Sequence, residues 1–295
     1  MSEPIISAHK LTHIYSNKHG GTLQKVALSD VTLDIARGSC AAIIGITGSG
    51  KSTLVQHFNG LLKPTSGTVI VDGIDIGAKG ADLHTLRQRI GMLFQFPESQ
   101  LFERTIFADV AFGPRRMQLS RREIRERVLH ALDMVGLPPH QFAQRSPFDL
   151  SGGQKRRVAL AGVLAMSPKV LILDEPTVGL DAEGRAEFYS YLKRIQDEGV
   201  TIVLVSHDMA EVATLADRLF VLHNGLLVMQ GEPRSLFSQS ERLGQYGLAT
   251  PPLSELLSLL RTHGMAIPAH AFTLDEAFAA ISSLHKLTER GERHV

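Results

Sequence analysis

Eight residues, Gly45-Ile46-Thr47-Gly48-Ser49-Gly50-Lys51-Ser52, fill every fixed position of the pattern G-x-x-x-x-G-K-[ST], a loop suited to cradling phosphate. Glycines let the backbone turn tightly and aim several N–H groups at one point. A helix opening at Lys51 adds the partial positive charge of its N-terminus. Lys51 would reach the β- and γ-phosphates of a nucleotide, and the Ser52 hydroxyl would ligate a Mg²⁺ bridging them. The expected binding set is Gly45, Thr47, Gly48, Ser49, Gly50, Lys51, Ser52 and Thr53, although Thr53 is most simply an ordinary helix residue.

Other residues could complete such a site. Val170-Leu171-Ile172-Leu173 reads as a buried strand that delivers Asp174 and Glu175 to its C-terminal end, where ligands gather in open α/β sheets. Asp174 would hold Mg²⁺, directly or through water, and Glu175 would orient and polarise the attacking water. His207 follows another apolar strand and could donate a hydrogen bond to the γ-phosphate. Gln95 ends a strand as well; its amide oxygen could bind Mg²⁺ or water, or it is a plain loop glutamine. Ser151, Gly152, Gly153 and Gln154 precede a helix, either as a second anion-binding point or as a simple cap. Tyr15 could stack on a base or be an ordinary strand residue.

Strands and helices must position these groups. Ser39–Ile44 reads as the strand before the phosphate loop, and Thr53–Asn59 as a helix stopped by Gly60. Ile5–Leu11 and Val31–Ile35 are strands flanking a polar loop over Ser16–Gly21. Thr68–Val71 and Ile74–Ile76 flank an Asp72-Gly73 turn, so an antiparallel β layer is expected beside the core. Arg89–Phe94, Val200–Val205 and the hairpin Leu219–His223/Leu226–Met229 about Asn224-Gly225 supply further strands. A helical stretch over 105–147 is clearest after the Ser120–Glu123 capping box. Its arginines, Arg115, Arg116, Arg121, Arg122, Arg125 and Arg127, form a solvated face or a contact for an acidic partner or anionic lipid. Two amphipathic helices close the chain, one after Pro251-Pro252 and one opened by the capping box Thr273–Glu276. The expected organisation is an α/β unit over 1–235, with a mostly parallel sheet and a helical insert at about 97–165, then a small helical C-terminal extension over 236–295.

The 295 residues are 43% hydrophobic, enough for one large and one small core, and 31 Lys and Arg balance 30 Asp and Glu. No global field argues for nucleic acid as a partner. Cys40, the single cysteine, lies in a predicted core strand, which suits a reducing compartment and an inert thiol. No apolar run approaches the roughly 18 residues that span a bilayer, and the N-terminus lacks a secretory signal, so the chain alone is expected to be soluble and cytoplasmic.

The phosphate loop, the Gln95 loop, Leu150–Gln154, Asp174-Glu175 and His207, in this order and spacing, resemble the ATP-binding cassette family over about residues 5–235. The resemblance implies a P-loop NTPase core, ATP and Mg²⁺ as cofactors, and a catalytic set of Glu175, His207, Lys51 and Gln95, with Ser52, Gln95 and Asp174 at the metal. By the same resemblance Tyr15 stacks on the base, Leu150–Gln154 is the family signature, Asp181 lies in a loop that communicates across a dimer, and His207 is the switch histidine.

More narrowly, Gln95–Phe102 and Arg145–Arg157 look like the ATPase subunits of energy-coupling factor transporters, which import vitamins or transition-metal ions. The start of the phosphate loop and Leu164–Leu171 look like the second ATPase type of that group. This implies a second cassette ATPase as partner, in a homodimer or heterodimer. It also implies a transmembrane coupling protein, a substrate-binding membrane protein and a peripheral place on the cytoplasmic face of the membrane. Two cassettes would then face head to tail, each ATP lying between the phosphate loop of one and Ser151–Gln154 of the other. The membrane partner would feel closure through the Gln95–Phe102 surface and the helical insert. Rival readings are a soluble cassette ATPase acting on nucleic acid or ribosomes, an ATP-sensing regulatory module, and phosphoryl transfer to a metabolite.

Overall fold

Two long strands open the protein, β1 (Ile6–Ser16) and β2 (Gln24–Ile35), paired antiparallel from Ile6↔Ile35 to Ser16↔Gln24. The computed structural model describes residues 3–16, 24–265, 276–279 and 282. Next, β3 (Cys40–Ile44) runs into the phosphate loop and α1 (Lys51–Phe58). The chain then returns to the first sheet with β4 (Ser66–Val71) and β5 (Ile74–Asp75), giving the order β2-β1-β4-β5 and the antiparallel layer that was expected.

After α2 (Leu83–Arg89) and β6 (Ile90–Leu93), the described elements as far as residue 164 are all helical. They comprise a 3₁₀ turn at Pro97–Gln100, α3 (Ile106–Val110), α4 (Arg121–Met134), α5 (Pro139–Phe142) and α6 (Gly152–Leu164), with two further 3₁₀ turns. Ser120 caps α4 through the anticipated capping box with Glu123. There follow β7 (Val170–Asp174), α7 (Ala182–Asp197), β8 (Thr201–Val205), α8 (Met209–Leu215) and the hairpin β9 (Arg218–His223)/β10 (Leu226–Gly231). They complete a second sheet, β10-β9-β3-β8-β7-β6, parallel throughout except at β9–β10.

Period-two alternation explains why both faces of this sheet are apolar. Ala42, Ile44, Leu171, Leu173, Ile202 and Leu204 pack against the helical side with Leu132, Leu160 and Phe188. Ala41, Ile43, Val170, Ile172, Val203 and Val205 pack against the antiparallel layer and α1, with Ile6, Val31 and Phe58. Cys40 is buried, and burial pushes its thiol up to about 12, the inert state expected of it.

The last described helices are α9 (Pro233–Phe237), α10 (Ser240–Gln245) and α11 (Pro252–Thr262). Leu236, Phe237, Leu243 and Leu248 belong to the same core as the helical side of the sheet. The first closing amphipathic helix is α11; residues 273–275 of the second one's capping box lie outside the described residues, as does 17–23 of the expected polar loop. Ser16, the loop's expected first residue, instead ends β1, and α2 and α8 arise where no helix was anticipated. Both are seven residues long, too short for a clear 3.6-residue pattern, and tertiary packing on Leu86 and Val212 holds them.

Far from the phosphate loop, Asp72 gathers Arg37 (3.0 Å), Arg89 (2.8 Å) and Lys169 (2.8 Å). Burial favours its neutral form, but hydrogen bonds from Lys169, Arg37 and Arg89 outweigh that and hold the carboxyl below its usual range. A folded-state value below the unfolded one stabilises above the unfolded pKa, about 3.9, and the gain is lost as pH falls through the folded value. Asp72→Asn should therefore lower the melting temperature by about 2–6 °C at pH 7, and calorimetry should show this gap closing below about pH 4.

Candidate functional site

Parallel register sets the height of each strand end. Leu93 pairs with Leu173, Asp174 with Val205, and Ile43 with Val205. The C-terminal ends of β3, β6, β7 and β8 therefore bring Gly45, Gln95, Asp174-Glu175 and Ser206-His207 to one sheet edge, the usual ligand edge of such a sheet. Of these, Gln95 is exposed on the segment after β6.

The phosphate loop is shaped by close backbone approach. Gly45 has φ 155°, and a Cβ there would fall 2.2 Å from the Leu222 carbonyl oxygen. Gly50 has φ 108° and would meet the Ala27 oxygen at 2.7 Å. Only glycine fits either position. Lys51 Nζ curls over the loop, donating to the Gly45 and Ile46 carbonyls at 2.6 and 3.0 Å. Burial lowers its pKa, against the opposing pull of Glu175 and Asp174. Ser49 is 1% exposed, and its Oγ has no partner.

A cavity of about 360 Å³ runs from this loop to Tyr15, lined also by Lys25, Ser52, Thr53 and the Asn224-Gly225 turn. The Tyr15 hydroxyl lies 3.3 Å from Thr53 Oγ1, so Thr53 touches the aromatic group expected at the base. Gly225 ties the hairpin to the loop: its N–H donates to the Ser49 carbonyl at 2.9 Å, and its carbonyl accepts from Ser29 N–H at 2.8 Å. The sequence showed Asn224-Gly225 only as a turn; its place against the phosphate loop depends on β9 lying beside β3.

Asp174 and Glu175 stand at the same edge. Burial, reinforced by Glu175, raises the Asp174 pKa, and Lys51 opposes this. Glu175 takes a left-handed backbone, φ 51°, an uncommon conformation for a non-glycine residue and one that recurs at functional positions. His207 Nδ1 lies 2.7 Å from Glu175 Oε2. A carboxylate can only accept, so Nδ1 carries the proton. Donation to a phosphate from Nε2 then needs the doubly protonated ring, whereas donation from Nδ1 needs the Glu175 bond released.

Sequence reasoning passed over Arg156 on α6. It is 5% exposed, and its Nη1 donates to the carbonyls of Pro176 and Val178, both at 2.9 Å, with Glu98 at 3.4 Å from Nη2. The loop that follows Glu175 is thus anchored to the helix that begins at Gly152. Nothing in the basic run Lys155-Arg156-Arg157 sets it apart in the sequence, because its burial is decided by the packing of α6.

Ser151 caps α6 in a full capping box with Gln154, at 3.3 and 3.1 Å. The N–H groups of Gly152 and Gly153 are left without intrahelical acceptors. A Cβ added at either glycine would meet nothing within 4 Å of this chain. Ser151, Gly153 and Gln154 border a different cavity of about 440 Å³, lined also by Leu180, Asp181 and residues of α7. None of the phosphate-loop residues lines it, so the two glycine-bearing helix starts open onto separate cavities.

Ser52, Asp174 and Gln95 offer a hydroxyl, a carboxylate and an amide oxygen, a hard all-oxygen set that fits Mg²⁺. Among the described residues no group of three or more His, Cys, Asp and Glu could hold a metal by itself, as expected where phosphate oxygens supply much of the coordination.

Comparison with known proteins agrees with this geometry. A model of the ABC transporter family matches residues 28–178. The energy-coupling factor transporter ATP-binding protein EcfA2 of Symbiobacterium thermophilum is 53% identical over 271 residues, covering 92% of this chain and 93% of that protein. The EcfA2 protein of Clostridium tetani is 48% identical over 273 residues, covering 92% and 94%. Among solved structures, cbiO1 of Clostridium perfringens, part of the ABC transporter complex cbiONQ, superposes with a TM-score of 0.73 at 41% identity, covering 87% of this chain and 100% of that one. The cassette MJ0796, a dimer in a post-hydrolysis state bound to ADP and Pi, gives 0.67 at 32% identity, covering 78% and 99%.

Proposed function

The chain belongs to the ABC transporter family, and we propose that it is the ATP-hydrolysing subunit of an energy-coupling factor importer, working in a head-to-tail pair of cassettes. One observation carries the pairing. The phosphate loop and the helix start at Ser151, Gly153 and Gln154 border different cavities, so each is half of a nucleotide site. The missing half comes from a second cassette, alike or similar.

ATP lies with its base against Tyr15 and its phosphates on the 45–52 loop under Lys51. The partner's helix start, equivalent to Gly152-Gly153, meets the γ-phosphate. Mg²⁺ held by Ser52, Asp174 and Gln95 would neutralise charge between the β- and γ-phosphates. Glu175 orients and polarises the attacking water, and His207 donates to the γ-phosphate. Because only the closed pair satisfies both sets of N–H groups, ATP shifts the population toward closure. A tenfold shift needs about 1.4 kcal/mol, which one charge-assisted hydrogen bond of ~1.5–3 kcal/mol supplies.

Residues 1–235 form the cassette in this reading, with the insert at about 97–165, and the extension begins near 236. The exposed Phe94, Phe96, Phe102 and Phe112 beside the Gln95 loop support this surface as the place where closure is passed to a membrane partner. No helix among the described residues is long and apolar enough to cross a membrane. The chain is therefore held peripherally at the cytoplasmic face by that partner.

Purified from membranes in mild detergent, the full chain should bring with it a second cassette ATPase and an integral membrane protein, identified by mass. Turnover per chain should rise with cassette concentration and fall at least tenfold on Ser151→Arg, which loses the cap and crowds the glycines. Recovery of an unpaired chain with concentration-independent turnover that Ser151→Arg leaves intact would overturn the reading.

A further inference from the structure

Behind the loop carrying His207 stands a carboxylate that the mechanism above does not use. Glu211 sits in the first turn of α8, 0% exposed. Its Oε2 accepts from Ser206 Oγ at 2.5 Å, and the buried Thr177, in the loop after Glu175, lies close enough to lower the pKa of the carboxyl. Ser206 immediately precedes His207, and Thr177 lies two residues after Glu175. Ser206 Oγ in turn accepts from the Asp208 N–H at 3.0 Å, so one hydroxyl holds the residues on both sides of His207. Asp208 itself is fastened at 2.9 Å to Arg185, whose Nε donates to the Leu180 carbonyl at 3.2 Å, just before Asp181.

We propose that Glu211 is a positioning residue for ATP hydrolysis, holding Ser206 by a buried hydrogen bond and backing Thr177, so that His207 and Glu175 keep the mutual geometry turnover requires. The inference rests on the ATPase reading above. A carboxyl with no solvent contact would normally be replaced by an apolar residue, because an ionisable group without full pairing destabilises a core. Glu211 Oε1 has no partner at all, so the group is held at a cost to the fold. Burial pushes its pKa up to about 7, despite the lowering effect of the Ser206 bond and of nearby Thr177. Either protonation state keeps an acceptor for Ser206, so the acceptor rather than the charge is what matters.

Variants of the full chain in its membrane-extracted complex test this. Glu211→Ala should lower kcat at least tenfold while KM for ATP stays within twofold, because no phosphate-loop group touches it. Glu211→Gln, which keeps an acceptor oxygen, should restore kcat to within threefold of the unaltered protein. If Glu211→Ala fails to fold, Ser206→Ala, Thr177→Val and their double variant give the answer: the two losses in kcat should be non-additive, the second substitution costing little once the first has released the carboxylate. Unchanged kcat for Glu211→Ala, equal defects for Ala and Gln, or strictly multiplicative losses for Ser206 and Thr177 would overturn the role. An unaltered complex with no ATP turnover would instead overturn the ATPase reading on which it rests.

Discussion

Glu175→Gln should bind ATP within about threefold of the unaltered protein and yet release phosphate 10²–10⁴ times more slowly, the range for losing a positioned general base. The two side chains have nearly the same shape, and the His207 bond to Oε2 can still be accepted by the amide oxygen. What is lost is a carboxylate able to take a proton from water. Since closure is driven by ATP and ended by hydrolysis, the variant should also accumulate an ATP-loaded pair of cassettes, visible by light scattering after gel filtration. Phosphate release at a near-normal rate would remove Glu175 from the catalytic set, and the left-handed backbone at this position would then need another explanation.

Removing the ammonium at position 51 acts on the other step. Lys51→Ala should weaken ATP binding at least tenfold, and by up to about a hundredfold, as expected for charge-assisted hydrogen bonds of ~1.5–3 kcal/mol. In the structure Nζ is satisfied by the Gly45 and Ile46 carbonyls, so it is already held above the loop where phosphates would lie. Its lowered pKa has burial as the main cause, and arriving phosphate charge opposes that effect, so binding should strengthen its hold on the proton. Isothermal calorimetry at pH 7 checks the affinity. An unchanged dissociation constant would mean that backbone N–H groups alone carry the phosphates.

Some of this was readable before any coordinates. The order of the phosphate loop, Gln95, Ser151–Gln154, Asp174-Glu175 and His207 is a contiguous pattern, and each piece has a local cause: a glycine where φ is positive, a capping serine, a run of apolar residues ending in acids. Strands β3, β7 and β8 were legible because burial on both faces demands uninterrupted apolar residues. Short α2 and α8 were not, because their stability comes from packing. Neither was the extent of β1 and β2, whose polar ends pair with each other, Ser16 opposite Gln24.

By itself the sequence pointed to a loop shaped for phosphate, to acids and a histidine at the strand ends, and to a glycine-bearing helix start after Ser151, since these follow from residue type and short spacing. Tertiary structure alone decided which of them meet. It placed β8 between β3 and β7, so Glu175 and His207, 32 residues apart, share a hydrogen bond. It sent Arg156 to the loop after Glu175 and Glu211 behind both catalytic loops. It also set Ser151–Gln154 on a cavity apart from the phosphate loop. Strand order arises from long-range burial and register, which no local pattern encodes, so which of these groups stand side by side appears only once the chain is folded.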